Sequence, residues 1–97
     1  MKKILLTLLA MSTMMMAADG AALYKKCASC HGAQGEKKAL GKSKVINEFS
    51  KENLVSALKG YKDGTYGGSM KALMKGQVSN LSNDDIDTLS AHITTLK

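Results

Sequence analysis

Cys27-Ala28-Ser29-Cys30-His31 sets two thiols three residues apart, with an imidazole directly after the second. On a helical turn, thiols at that spacing point the same way, so both can reach the vinyl groups on one edge of a single porphyrin. The histidine that follows is carried under the ring, where a neutral imidazole nitrogen can bind iron. Three other chemistries use parts of the pattern. A redox dithiol of the thioredoxin kind shares the C-x-x-C spacing, but no alternation of strand and helix surrounds it here. A zinc site wants four ligands, and only Cys27, Cys30, His31 and the distant His92 are available. A structural disulfide suits an exported chain but leaves His31 without a role. The expectation is therefore one covalently bound haem c, with Cys27 and Cys30 as the thioether positions and His31 as an iron ligand.

The second axial position has three candidates, Met70, Met74 and His92. The two methionines stand four apart and share a face of a short helix expected after Ser69, so periodicity does not choose between them. Either could equally be a gap-filling core methionine. His92 lies between Ala91 and Ile93, beside an apolar stripe but outside it; as a ligand it would give a bis-histidine site of lower potential than a histidine–methionine one.

The elements that must position these groups read as short helices. Asp19 can cap a first helix that carries Ala22, Leu23 and Lys26 toward Cys27. From Gly32 to Lys44 the chain is rich in glycine and lysine and reads as a solvated loop, with Leu40 and Val45-Ile46 able to touch a core. Ser50 caps a second helix bearing Leu54, Val55, Ala57 and Leu58, with Gly60 as its stop. Ser82 and Asp85 resemble a capping box, and Leu81 with Ile86 can form a hydrophobic staple across it. Ile86, Leu89, Ile93 and Leu96 recur at helical spacing and form a stripe that must dock on another element, the first helix being the natural partner. No strand is expected, and the fold class is all-α.

The chain has 97 residues, no proline and no arginine, and only Tyr24, Phe49, Tyr61 and Tyr66 as aromatics. So few aromatics in so short a chain make a small core, and a covalently held flat apolar cofactor would serve as the staple such chains need. Lys2 and Lys3 before the apolar run Ile4–Met11, closed by Ala17 and Ala18, read as a secretory signal over residues 1–17, leaving one domain over 18–97. The run is too short to span a membrane, so no stable membrane anchor is expected, and the destination is the periplasm. Removing residues 1–17 leaves twelve lysines against eight acids, so the side-chain charge falls from +6 to +4. Basic groups that are all lysine suit diffuse attraction to an acidic protein surface better than bidentate phosphate recognition, which argues against nucleic acid.

With these residues placed, the sequence resembles the class I c-type cytochromes, most closely the small bacterial monohaem cytochrome c-553 type. The likeness runs over nearly all of 18–97. It is carried by Ala18-Asp19-Gly20-Ala21-Ala22-Leu23-Tyr24-Lys25 ahead of Cys27, Cys30 and His31, by Gly60–Gly68 leading into Lys71-Ala72-Leu73-Met74, and by Leu81-Ser82 with Asp85-Ile86 and the helix after them. The resemblance implies a small class I cytochrome c fold whose first and last helices cross, and it selects Met74 over Met70. It also implies a place near haem or its propionates for Tyr61 and Tyr66, which could otherwise be packing aromatics. Larger members carry a proline after the motif whose carbonyl orients the histidine; without one, another acceptor must hold the His31 ring N–H. His92 stands where the subgroup often has tyrosine, which points to a helix contact.

The function so implied is a periplasmic, monomeric carrier of single electrons, not an enzyme. The resemblance names its partners by class: a quinol-oxidising complex, a terminal oxidase, a dehydrogenase or a cytochrome peroxidase. Lys25, Lys26, Lys37, Lys38, Lys42, Lys44, Lys71 and Lys75 cluster in sequence around the attachment site and Met74 and would suit brief docking on acidic redox proteins. The rival is a small peroxidase-like enzyme or gas sensor with an open iron position, against which stands the lack of any arginine to pair with a catalytic histidine.

Overall fold

The computed structural model describes residues 19–41 and 43–96; the expected signal segment and Lys42 lie outside the described residues. Four α-helices follow in order: α1 (Gly20–His31), α2 (Lys51–Asp63), α3 (Lys71–Val78) and α4 (Asn83–Ile93), with single 3₁₀ turns at Ala39–Gly41 and Ile46–Glu48. No strand occurs among the described residues, as the all-α reading expects.

Each helix starts where its side-chain cap lies, except α3. Asp19 Oδ1 accepts Ala21 N–H at 3.0 Å, and Ser50 Oγ accepts Asn53 N–H at 3.1 Å. At α4 the capping box is complete: Asp85 N–H donates to Ser82 Oγ at 3.0 Å, and Ser82 N–H to Asp85 Oδ2 at 3.1 Å. These bonds satisfy N–H groups that the first turn cannot pair internally. α4 then packs on both α1 and α2, and α3 packs on α2. Leu81, Ile86, Leu89 and Ile93 are buried in one cluster with Tyr24, Leu54, Leu58 and Val78, while Leu96 lies past the helix end and is half-buried against them. The stripe thus docks on α1, and also on α2. Lys62 of α2 donates to the Leu81 carbonyl and ties the entry of α4 to the α2 surface.

Two local expectations are corrected. Gly60 does not stop α2. The helix runs on to Asp63, and Gly64, in the left-handed region at φ 83°, closes it. Gly60 is instead a buried point of close approach, where a Cβ would fall 2.5 Å from Tyr66 Cβ. Leu40 does not join the core. It sits on the first 3₁₀ turn at φ 54° with 59 % of its surface exposed, because the turn carries it outward toward the mouth of a cleft.

Candidate functional site

The last turn of α1 delivers Cys27, Cys30 and His31 together. Cys27 is half-buried, Cys30 exposed and His31 buried, at positions i, i+3 and i+4 of one helix. The two sulfurs are not joined to each other. Burial pushes the Cys27 thiol above its usual pKa, against a smaller opposing effect of Lys26. A thiol held protonated is the opposite of the activated thiolate that a dithiol oxidoreductase needs. Among the described residues no group of three or more His, Cys, Asp and Glu is placed to hold a metal ion.

Two adjoining clefts, of about 190 and 340 Å³, open beside this turn. Cys27, His31, Ser43, Tyr61, Gly68 and Met74 line both. The first cleft adds Cys30, Met70, Leu40 and Leu73; the second runs inward to Leu54, Leu58, Val78, Leu89 and Ile93. The walls therefore suit a flat apolar group attached at Cys27 and Cys30, with an imidazole from α1 and a thioether from α3 both in reach of the same space. The charged side chains at the lining are lysines, Lys26 and Lys71 in the first cleft and Lys44 in the second.

Met74 is half-buried and packs against the core, while Met70 caps the start of α3. Both methionines reach the first cleft and only Met74 reaches the second. His92 lines neither. Its ring lies against Tyr24, with centroids 5.9 Å apart and planes at 51°, where α1 crosses α4, which is the helix contact expected of it. Tyr61 and Tyr66 meet edge to face at 5.0 Å and 84°, Tyr61 on both clefts and Tyr66 on the second.

Desolvation lowers the pKa of His31 and favours the neutral imidazole, the form that ligates a metal. Among the described residues no acceptor meets its ring N–H: His31 Nδ1 is buried with no hydrogen-bond partner there. Two carbonyls beside the ring in sequence are engaged by other donors. The His31 carbonyl accepts Lys37 N–H at 2.9 Å, and the Gly32 carbonyl accepts both Gly35 N–H at 3.2 Å and the Tyr24 hydroxyl at 2.6 Å. That Tyr24 bond had no local signal beyond a tyrosine standing where a phenylalanine would also pack.

Residues 17–97 match the family model described as Cytochrome c. The chain belongs to the cytochrome c family. Among curated relatives of this cytochrome is the cytochrome c-553 of Nitratidesulfovibrio vulgaris (strain Miyazaki F), 43 % identical over 81 residues that cover 84 % of this chain and 79 % of that one. The cytochrome c-553 of Helicobacter pylori (strain J99) is 42 % identical over 99 residues that span the whole of both chains. The cytochrome c-554(547) of Halothiobacillus neapolitanus is 37 % identical over 90 residues, covering 84 % of this chain and 97 % of that one. This cytochrome is accordingly a small class I, monohaem electron-transfer protein with one covalently bound haem c. Among the described residues no helix is long and apolar enough to cross a membrane, and the natural partners of such a protein are other redox proteins.

Proposed function

We propose that this cytochrome is an exported, monomeric carrier of single electrons between respiratory redox partners, not an enzyme, and that His31 and Met74 are the two axial ligands of its iron. The observation that carries the reading is that His31 and Met74, from separate helices, line both clefts beside Cys27 and Cys30, which would hold the haem as thioethers. The bound haem supplies an iron that gains and loses one electron. The chain's own residues tune that event. A thioether ligand and apolar walls from Leu54, Leu58 and Leu89 favour the less charged ferrous state and raise the potential. Filling both axial positions leaves none for a substrate or gas, which separates a carrier from a peroxidase-like enzyme.

Residues 1–17 are read as the export signal and 18–97 as the working domain in the periplasm, supported by the lysine-then-apolar start and by a family match that begins at residue 17. Lys25, Lys26, Lys37, Lys38, Lys44, Lys71 and Lys75 are all exposed and would steer acidic partners to the cleft.

The test is the visible spectrum of the haem-loaded protein, oxidised and reduced, with carbon monoxide added to the reduced form, in wild type and Met74→Ala. Low-spin haem indifferent to carbon monoxide in wild type, but binding it in Met74→Ala, is the expected result. Ready binding by wild type means an open iron and ends the carrier reading, and indifference in Met74→Ala moves the second ligand to another residue.

A further inference from the structure

A ligating histidine ordinarily donates its second ring N–H to an acceptor that fixes the orientation of the ring. His31 Nδ1 is buried and lacks one among the described residues. Its orientation must then come from packing and from the backbone at the end of α1. That backbone is fastened on several sides. Gly32 N–H closes the helix on the Ala28 carbonyl at 2.8 Å, and Lys37 N–H reaches the His31 carbonyl at 2.9 Å. The Gly32 carbonyl takes Gly35 N–H and, at 2.6 Å, the hydroxyl of Tyr24.

Of these bonds, the one from Tyr24 is the only one made by a side chain, and it comes from eight residues back on the same helix. Tyr24 is 4 % exposed, its ring held in the core cluster and against His92. A hydroxyl on so fixed a ring cannot follow the Gly32 peptide if that peptide rotates. The bond is therefore a restraint on the residue next to His31 and not merely a partner for a buried oxygen. The Glu36 side chain packs against Gly32 where a Cβ would stand, its carboxylate accepting Gln34 N–H at 3.0 Å.

We propose that Tyr24 is a positioning residue for His31: its hydroxyl, bound to the Gly32 carbonyl, holds the Gly32–Ala33 peptide and through Gly32 fixes the backbone next to an imidazole that has no acceptor among the described residues. The proposal rests on His31 being an iron ligand. It is tested on the oxidised, haem-loaded protein by proton NMR, in wild type, Tyr24→Phe and Ser82→Ala. Tyr24→Phe keeps the ring and removes only the hydroxyl; Ser82→Ala removes a cap of α4 and leaves the Tyr24 ring and hydroxyl in place.

The expected result is displaced His31 ring resonances in Tyr24→Phe, with exchange of the His31 Nδ1 proton faster by about five- to tenfold, the size of one lost hydrogen bond, while Ser82→Ala leaves both unchanged. Unchanged His31 signals in Tyr24→Phe, or equal changes in the two variants, overturn the proposal and leave Tyr24 a packing residue. Failure of Tyr24→Phe alone to assemble with haem supports it; failure of both variants counts against it. If the wild-type His31 ring shows no shift from a bound iron, it is the ligand assignment that falls instead.

Discussion

Gly20 and His92 meet where α1 crosses α4, so closely that a Cβ on residue 20 would fall 2.6 Å from His92 Cβ and 3.0 Å from the Thr88 carbonyl oxygen. The obstacles are a Cβ and a backbone atom, neither of which can swing aside. In an open helix, exchanging glycine for alanine gains about 0.5–1 kcal/mol. Here overpacking should outweigh that gain and cost about 1–3 kcal/mol. Urea unfolding of haem-loaded Gly20→Ala is expected to show a lower midpoint at unchanged slope, and a midpoint equal to or above wild type would mean the crossing has room.

The start of α4 makes a second prediction. Ser82 Oγ and Asp85 exchange two bonds across the first turn, and Ile86, one position further on, is fully buried. Ser82→Ala removes the acceptor for Asp85 N–H and should cost about 1 kcal/mol. For a domain of this size that is a fall of about 4–8 °C in Tm. Calorimetry of the two proteins checks it, and an unchanged Tm would show that water replaces the cap at no cost.

These two sites were unequally legible in the chain. Caps such as Asp19, Ser50 and Ser82 are local: the side chain bonds a backbone group two or three residues on, so the sequence carries the whole interaction. The C-x-x-C-H motif is legible for the same reason, because the covalent spacing of the thiols is itself the chemistry. Glycine is ambiguous. Gly60 and Gly64 both suit a helix end, and only the approach of Tyr66 to Gly60 gives the first of them another role. The fate of the His31 ring N–H was equally out of reach, since it depends on where the folded chain places acceptors around the ring. Leu40 shows the same limit from the other side: an apolar residue type does not say which way a turn will carry it. Helical period alone does not rank Met70 against Met74; both line the first cleft, and of the two Met74 alone lines the second.

Tyr61 gives a dependence on pH. Burial, with a smaller contribution from Tyr66, raises the pKa of its hydroxyl above the ordinary value of 10.0. Below that value both folded and unfolded chains keep the proton, and the contribution to stability is fully present. As the pH rises past it the unfolded chain releases its proton first, so it binds fewer protons than the folded one and stability declines. Tyr61→Phe removes this step. Above about pH 10 wild type should lose stability more steeply than Tyr61→Phe in parallel urea titrations, and superimposable slopes would show that Tyr61 is as well solvated folded as unfolded.

The lysines at the clefts should govern the rate at which electrons are exchanged and leave the iron site itself alone. Lys26, Lys44 and Lys71 line the clefts, whose lining includes no acidic side chain, and the exposed Lys37, Lys38 and Lys75 extend the positive field around them. Attraction of this kind acts before contact and is screened by salt: the screening length falls from about 30 Å at 0.01 M to about 8 Å at 0.15 M. Electron exchange with a net-acidic redox protein, followed by stopped flow, should therefore slow by about tenfold or more over that range, as steered encounters do. Lys71→Glu should lower the rate at low salt and flatten its dependence on salt, with the visible spectrum unchanged. Wild-type rates that do not respond to salt would mean that the lysines serve solubility and that partners find the cleft without steering.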